Sequence, residues 1–234
     1  MTTSKRPEAK GQAVQNMFDA IAERYDLMNR VMTMGQDQRW RSFVVAKTGD
    51  VGEGRVLDLA TGTGDIAHLA SVRHPQATII GGDFSSNMLL QAKKRFSQSR
   101  IHWLSCDATN LPYAENTFDA VTFGYLLRNV ADCPAVLKEI YRVVKPGGRV
   151  VCLDTTPPAR GVLYPFISFY LRFVIPLLGR LLAADAAAYS YLTGSTMEFY
   201  PAETLAEFFV AAGFSDVQYK RFMLGTIGIH WATK

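Results

Sequence analysis

Two carboxylates flank two glycines in the run Val56–Asp65, where Asp58 precedes Gly62 and Gly64 and Asp65 follows them. The apolar residues before the glycines predict a strand, and the helical spacing of the residues after Asp65 predicts a helix. A glycine turn between a strand and a helix lets a ligand approach the backbone, and the first N–H groups of the helix point toward that ligand. The run is therefore predicted to be a ligand-binding loop.

Two nucleotide-type cofactors are compatible with this spacing. With Ala67 three residues after Gly64 and Asp83 19 residues after it, the run matches the dinucleotide fingerprint, which is typical of nicotinamide-dependent oxidoreductases. Asp58 and Asp65 would, however, repel a pyrophosphate. S-adenosylmethionine carries an ammonium and a sulfonium group instead, and its ribose diol can donate to Asp83. Charge therefore favours S-adenosylmethionine, while a purely structural role for Asp65 in the helix dipole stays open.

The composition is that of an ordinary globular domain. The chain has 234 residues, of which 48% are hydrophobic and 20% charged, so it is long enough for one domain with a full core. The net charge of +4 is mild and the Lys and Arg residues are dispersed, so no nucleic-acid partner is predicted. The polar N-terminus lacks the apolar run of a signal peptide, which predicts a cytoplasmic protein.

The three cysteines, Cys106, Cys133 and Cys152, are predicted to be free thiols in a reducing compartment. Their spacing, taken together with the four histidines, matches none of the usual zinc patterns. We therefore predict no metal site.

Strand patterns alternate with helical patterns from Val56 to Asp154. This alternation predicts a parallel sheet covered by helices on both faces, with ligands at the carboxyl ends of its strands. Taken singly, each acid at a strand end is more simply the cap of a turn, but their shared edge favours a site. The residues predicted at that edge are Thr63, Asp83, Asp107, Gly124, Arg128 and Asp154.

Helical segments are predicted on both sides of this alternation. Residues 1–10 read as a disordered tail, and Val14–Val45 as a helical cap. The segment Gly161–Ala184 is long enough to span a membrane, but Arg172, Arg180 and two prolines interrupt it. It is therefore predicted to form one or two short helices that cover the ligand edge as a lid, with an ordinary buried helix pair as the alternative.

The C-terminal part is predicted to complete the sheet. Pro201 begins a helix and Gly213 ends it. The runs Val217–Phe222 and Met223–Trp231 then predict a closing hairpin.

Several motifs resemble the ubiquinone/menaquinone biosynthesis C-methyltransferase family, which belongs to the class I S-adenosylmethionine-dependent methyltransferases. The glycine loop is common to many methyltransferases, whereas two motifs are close to diagnostic: Arg24-Tyr25-Asp26-x-Met28-Asn29 and Leu127-Arg128-Asn129-Val130. The resemblance covers nearly the whole chain. The other matching stretches are Met17–Asp19, Gly35–Trp40, Leu57–Asp65, Asp107–Pro112, Asn116–Asp119, Tyr141–Arg149, Tyr189–Tyr191, Ala212–Phe214 and His230.

This resemblance implies a Rossmann-like α/β fold, with a doubly wound, mostly parallel sheet of seven strands. We expect a single methyltransferase domain over residues 1–234. Within it, the predicted parts are an N-terminal helical cap (1–50), a cofactor-binding core (51–160), a hydrophobic lid insertion (161–200), and a C-terminal helix with closing strands (201–234).

The implied reaction is transfer of a methyl group from S-adenosylmethionine to a ring carbon of a polyprenylated quinol, either demethylmenaquinol or the related benzoquinol of the ubiquinone pathway. Loss of a quinol hydroxyl proton makes the ring carbon nucleophilic, and the sulfonium provides an uncharged leaving group. By the resemblance, Tyr25 closes over the cofactor, and Arg128 and His230 polarise or deprotonate the quinol. A buried structural histidine is the alternative for His230.

The resemblance places cofactor contacts at Thr63, Asp83, Asp107 and Ala108. The predicted cofactor set also includes their neighbours in the glycine loop and at the strand ends, namely Asp58, Thr61, Gly62, Gly64, Phe84, Met88 and Gly124.

One stretch departs from the family pattern. Gly124-Tyr125-Leu126 stands where the family usually has serine, phenylalanine and glycine, and Asp154 stands where the family has glutamate. We expect Gly124 to lack a hydroxyl contact to the cofactor and Leu126 to narrow the acceptor site.

The hydrophobic lid and the polyprenylated quinol substrate predict transient association with a membrane surface, with Phe169 and Phe173 facing the polyprenyl tail. The alternative is a peripheral membrane-binding module that has lost transfer activity. The oligomeric state, a homodimer included, is left open by the sequence.

Overall fold

The structure is a computed structural model that describes residues 17, 19, 25–158, 161–162, 164–178, 191 and 194–234. The tail predicted at residues 1–10 lies outside the described residues. The described residues form seven strands: β1 (Arg55–Leu59), β2 (Thr78–Asp83), β3 (His102–Ser105), β4 (Phe118–Gly124), β5 (Val144–Thr155), β6 (Ser215–Phe222) and β7 (Ile227–Thr233).

Helices precede the sheet, connect its strands and follow it. The α-helices are α1 (Tyr25–Met32), α2 (Asp37–Ala46), α3 (Asp65–Arg73), α4 (Ser86–Arg95), α5 (Cys133–Val143), α6 (Tyr164–Phe169), α7 (Ile175–Leu178) and α8 (Ala202–Ala212). Short 3₁₀ turns lie at Leu127–Asn129 and Met223–Gly225, and a π-helical turn, Tyr170–Val174, joins α6 to α7.

The strands form one sheet in the order β3-β2-β1-β4-β5-β7-β6. The first five strands are parallel to their neighbours, and β7 is antiparallel to both β5 and β6. This confirms the predicted seven-stranded, mostly parallel α/β sheet. Leu59 of β1 pairs with Phe123 of β4, so the loops that follow these two strands leave the sheet side by side.

Apolar side chains are buried on both faces of the sheet. On one face Leu57 of β1 packs in a cluster with residues of α5 and α8. On the other face Val56 packs with residues of α2 and α3. Burial on both faces explains why the parallel strands read as continuous apolar runs instead of alternating ones.

Side chains and a glycine fix several helix boundaries. Ser85 accepts a hydrogen bond from the N–H of Met88 and caps α4, and Asp132 accepts one from the N–H of Ala135 and caps α5. Gly213 ends α8 with φ of 110°, a left-handed conformation that favours glycine.

The C-terminal hairpin differs from the prediction at its turn. Met223 and Leu224 both have positive φ, 47° and 54°, and with Gly225 they form a 3₁₀ turn instead of the start of a strand. β7 therefore begins later than predicted, at Ile227. Sequence patterns did not indicate this turn because its residues are apolar.

The segment from α6 to α7 lies against the N-terminal helix. Leu171 and Ile175 are buried in a cluster with Met28 and Met32 of α1. The hydroxyl of Tyr170 donates to the Met32 carbonyl at 3.1 Å. In the part of the chain that the structure describes, no helix is long and apolar enough to cross a membrane.

Candidate active site

The backbone between β1 and α3 turns through three residues with positive φ: Ala60 (49°), Gly62 (56°) and Gly64 (89°). Gly64 is required by packing, because a Cβ there would lie 2.6 Å from Cη2 of Trp103. A Cβ on Gly62 would meet nothing within 4 Å. The loop is thus held from one side by the indole and is open at Gly62, where a ligand can approach the backbone.

Asp58 is buried beneath this loop, with 1% of its surface exposed. Its carboxylate accepts hydrogen bonds from Thr61 Oγ1 (2.6 Å), Thr122 Oγ1 (2.8 Å) and the N–H of Ala67 (3.1 Å). Burial raises the pKa of Asp58 to about 6. The carboxylate predicted to contact the cofactor therefore faces the protein interior, where it joins β1, the loop, α3 and β4.

Asp65 is paired with arginines on two other helices. Arg41 of α2 donates to one carboxylate oxygen, and Arg95 of α4 donates to the other at 2.8 Å. Arg95 also donates to the carbonyl of Thr63 at 3.1 Å, so it holds the loop itself. The two arginines compensate the negative charge of Asp65. Asp65 would therefore not repel a pyrophosphate in the way that the sequence alone suggested.

Asp83 lies at the carboxyl end of β2 and accepts the N–H of Gly62 at 2.7 Å and that of Ser85 at 2.8 Å. Ser85 Oγ in turn donates to the carboxylate of Asp19. Burial raises the pKa of Asp83, and the nearby Asp19 adds to this rise. Asp83 is half-buried, so lone pairs of its carboxylate remain for hydroxyl groups such as those of a ribose.

The other predicted cofactor residues are found in different environments. Asp107 is exposed and accepts two hydrogen bonds from Thr109 through one of its oxygens. Ala108 is half-buried beside it, and Phe84, which follows Asp83, is 49% exposed. The side chain of Met88, in contrast, is only 2% exposed and belongs to the core.

The stretch that departs from the family pattern is packed on both sides of the sheet edge. A Cβ on Gly124 would lie 3.2 Å from Cδ1 of Ile66, so a larger residue there would press on α3. Leu126 is buried in the sheet core and does not line the cavity described below, so narrowing of the acceptor site by Leu126 stays a prediction. Tyr125 lines that cavity instead, in a left-handed conformation with φ of 59°.

A cavity lies at the carboxyl ends of β4 and β5. Its empty space, including the open mouth, is about 590 Å³. Apolar residues dominate its walls, with a few polar groups among them. The lining residues are Asn29, Met32, Thr33, Tyr125, Arg128, Thr155, Leu171, Ile175, Thr196, Met223, Thr226 and Ile227.

Arg128 is the charged residue of this cavity, and its side chain is only 6% exposed. One guanidinium nitrogen donates to Thr155 Oγ1 at 3.3 Å, while Nε lies 3.8 Å from Oδ1 of Asp154. The guanidinium also lies 4.8 Å from the centre of the Tyr125 ring. Burial raises the pKa of Asp154 to about 6, although Arg128 opposes this. Asp154 accepts the backbone N–H of Arg128 as well, so it positions this residue.

His230 does not line the cavity with Arg128. It lies within β7, where its Nε2 hydrogen-bonds the carbonyl of Ala202 at 2.8 Å and its ring stacks between Phe209 and Tyr219. Burial lowers the pKa of His230 to about 4, so the ring is neutral near pH 7. This geometry supports the structural alternative for His230.

Tyr25, the other residue predicted to take part in catalysis, is the first residue of α1, but the position of its side chain is not described.

Sequence reasoning missed several residues of this edge. Asn29 lines the cavity and Arg41 and Arg95 hold Asp65, yet none of them was predicted. The position of Asn29 in one of the two near-diagnostic motifs was an available signal. No pattern could reveal the pairing of Arg41 with Asp65, because the two residues are 24 positions apart.

The arrangement is compatible with bound S-adenosylmethionine. Asp83 and the exposed Asp107 lie at the ends of neighbouring strands, where carboxylates accept hydroxyl and amino hydrogens and attract a cationic ligand. The backbone is open at Gly62, next to Asp83. A cationic nucleoside with a free diol thus meets acceptors and open backbone at this edge.

A family model described as the ubiE/COQ5 methyltransferase family matches residues 6–234. The ubiquinone/menaquinone biosynthesis C-methyltransferase UbiE of Desulfotalea psychrophila is 69% identical over 97% of this chain and 92% of its own length. The demethylmenaquinone methyltransferase of Deinococcus radiodurans is 42% identical over 98% of both chains.

Solved structures share the fold at low sequence identity. The cyclase SpnF has a TM-score of 0.68 at 19% identity, covering 96% of both chains. Phosphoethanolamine N-methyltransferase 2 of Haemonchus contortus, solved with S-adenosyl-L-methionine, has a TM-score of 0.63 at 17% identity over 84% of this chain and 52% of its own.

Replacing Asp83 with Ala should weaken S-adenosylmethionine binding roughly tenfold or more, about 1.4 kcal/mol, because a hydrogen-bonded carboxylate acceptor is lost from the site. Isothermal titration calorimetry measures this directly. Glu53→Ala, which removes an exposed acid elsewhere, is the control and should leave the affinity unchanged. Equal affinities for wild type and Asp83→Ala would exclude Asp83 from the site.

Replacing Arg41 with Met should lower the free energy of unfolding by about 3–5 kcal/mol, because it leaves the buried carboxylate of Asp37 without a cation and removes one of the two arginines paired with Asp65. Arg95→Met should cost about 1 kcal/mol or less, since the Arg95 side chain is 33% exposed. Urea unfolding of both variants measures the difference. Equal losses would contradict a buried ion pair as the link between α2 and the loop.

Proposed function

Because the chain belongs to the ubiE/COQ5 methyltransferase family, we propose that it methylates a ring carbon of a polyprenylated quinol with S-adenosylmethionine as methyl donor. The acceptor we infer is demethylmenaquinol or the related benzoquinol of the ubiquinone pathway. The names of the two relatives support this class of acceptor, since one refers to ubiquinone and menaquinone and the other to demethylmenaquinone.

The observation that carries the proposal is the adjacency of two different sites on one sheet edge. The glycine loop follows β1 and the cavity residues Tyr125 and Arg128 follow β4, and these two strands pair directly. One site has carboxylates for a cationic nucleoside, and the other has apolar walls with one arginine for an aromatic ring with oxygens. Two substrates bound in this way meet at the sheet edge, as a transfer reaction requires.

When bound, S-adenosylmethionine supplies a methyl group on a sulfonium, which is transferred with its bonding electrons left on sulfur. The protein must hold the quinol oxygen in its ionised form, since the ring carbon is then a nucleophile. Arg128 suits this role, because a buried guanidinium beside apolar walls stabilises an oxyanion more strongly than water does. The ring carbon gains the new C–C bond and then loses its proton.

Arg128 is not suited to the alternative role of a base. A guanidinium stays protonated in proteins, so Arg128 polarises the quinol oxygen and does not remove its proton. Asp154 has a raised pKa of about 6, but it is buried behind Arg128 and its oxygens accept N–H groups of Arg128 and Thr155. Its proposed role is to fix the position of the guanidinium.

We also propose that the enzyme is cytoplasmic and attaches transiently to the inner face of the membrane through the segment from α6 to α7. One face of this segment is buried, whereas the opposite face exposes Phe166 (71%), Phe169 (59%), Phe173 (61%) and Leu177 (55%). A helix that is apolar all round needs an apolar environment on both sides. The polyprenyl tail of the acceptor resides in such an environment, the lipid bilayer.

The exposure of this face bears on two interpretations of the segment. Phe169 and Phe173 do not line the cavity, which is lined by Leu171 and Ile175, so a polyprenyl tail that they face would lie outside it. Their exposure also disfavours the alternative of an ordinary buried helix pair. The proposal therefore has these rings contact lipid, and the tail within it, at the membrane surface.

The proposal is tested by transfer of a labelled methyl group to a short-chain demethylmenaquinol, with mass spectrometry of the product ring. One added methyl on a ring carbon is expected. Vesicle binding without transfer to any quinol would instead favour the membrane-binding module. Saturable binding of NADH, but not of S-adenosylhomocysteine, would favour the oxidoreductase.

Replacing Phe169 and Phe173 with Ser should reduce vesicle binding and raise the KM for long-chain acceptors, because about 0.8 kcal/mol is lost for each methylene no longer buried in lipid. Both rings are exposed, so the melting temperature and the turnover of a tail-less quinol should change little. Vesicle flotation and steady-state kinetics with both acceptors measure these effects.

Leu171→Ala is the matched control for this double variant. Leu171 is buried and lines the cavity, so its truncation should cost about 2–5 kcal/mol of stability and impair both acceptors. If the double Ser variant behaved in the same way as Leu171→Ala, the exposed face would not be a membrane contact.

A further inference from the structure

Asn29 contributes an amide group to the acceptor cavity from the middle of α1. Its Nδ2 is buried and has no hydrogen-bond partner among the residues that the structure describes. The backbone carbonyl of Asn29 accepts the N–H of Thr33 at 2.9 Å, so this residue continues the helix and does not cap it. Buried amide hydrogens are nearly always paired in native proteins, which makes this donor unusual.

The position of Asn29 is unfavourable for folding. Asparagine is a weak helix former, and a buried unpaired amide loses its hydrogen bonds to water without replacing them. Met32, one turn further along α1, shows that an apolar side chain is accommodated on the same cavity wall. An unpaired donor in an apolar cavity is explained if a ligand supplies the acceptor.

Arg128 presents a second donor group to the same cavity from the sheet edge. Its Nε is also buried without a hydrogen bond among the described residues, and its closest charged neighbour is Asp154 at 3.8 Å. The cap and the sheet edge thus each bring one unpaired donor to one cavity. The remaining walls include Leu171, Ile175 and Ile227, which suit the flat faces of an aromatic ring.

We propose that Asn29 binds the second oxygen of a 1,4-dioxygenated aromatic ring whose first oxygen is held by Arg128. This inference rests on the proposed function and adds to it a residue that selects the acceptor. The two oxygens of such a ring lie at opposite ends, so donors on the cap and on the sheet edge bind both at once. A ring held at one oxygen alone can rotate in the cavity, whereas two contacts fix which ring carbon faces the methyl donor.

The two contacts have different chemical roles. Arg128 carries a full charge and stabilises the oxygen that is ionised. The amide of Asn29 is neutral, and it can donate to a hydroxyl oxygen or accept from the hydroxyl hydrogen. Recognition through a neutral amide distinguishes a diol from a compound with one hydroxyl, because the amide is left unpaired in a dry cavity when the second oxygen is missing.

The inference is tested by competitive inhibition with two tail-less rings, 1,4-dihydroxynaphthalene kept reduced under nitrogen and 1-naphthol. Replacing Asn29 with Leu should raise the inhibition constant of the diol about tenfold or more and that of 1-naphthol by less than about twofold. Asn29→Ala, which favours the helix, serves the same purpose if Leu is not accommodated. An equal change for both rings would overturn the inference.

Two further measurements separate this role from a structural one. Because Asn29 is unfavourable for folding, the melting temperature of the Asn29 variants should equal or exceed the wild-type value, and their S-adenosylmethionine affinity should stay near that of the wild type. Val31→Ala, on α1 but outside the cavity lining, is the matched control and should leave both inhibition constants unchanged. Failure of the wild-type enzyme to methylate any quinol would defeat the proposed function itself, whereas methylation with equal losses for the two rings would defeat only the role of Asn29.

Discussion

The shape of the sheet edge where ligands are expected to bind depends on the hydrogen bonds accepted by the buried carboxylate of Asp58. They join the hydroxyls of Thr61 and Thr122 and the N–H of Ala67, so one side chain fixes the end of β1, the glycine loop, the start of α3 and the neighbouring β4. Burying a carboxylate is unfavourable, as its pKa of about 6 indicates, and these donors compensate for the loss of water. The loop is therefore shaped before a ligand arrives, and Gly62 is left open beside Asp83.

The pairing of β1 with β4 then places the cofactor loop and the acceptor cavity at the same edge of the sheet. Because these strands are neighbours, the cavity residues Tyr125 and Arg128 follow β4 at the same edge where the loop follows β1. The cap and the apolar segment complete that cavity through Asn29, Leu171 and Ile175, and ion pairs of Asp65 tie α2 and α4 to the loop. The structural similarity to the cyclase SpnF shows that this fold alone does not decide the reaction. The lining of the cavity is what favours an aromatic acceptor.

The sheet, most of its boundaries and the glycine loop were predictable because each depends on a local pattern. Strand and helix periods alternate, Ser85 and Asp132 cap helices, and Gly213 ends one. Side-chain direction was not predictable in the same way. Asp58 points inward and Phe169 points outward, and in the apolar segment both helix faces carry similar residues, so no periodicity identifies the buried one. Contacts between distant residues, such as Arg41 with Asp65, have no local signature at all.

By this account the chain adds the ring methyl group of a quinone in the cell. The decisive measurement is mass spectrometry of the quinones that accumulate in a strain lacking the gene, with the gene restored on a plasmid as the control. Accumulation of a quinone that lacks one ring methyl group, corrected by the plasmid, is the expected result. A quinone profile identical to that of the parent strain would contradict the claim.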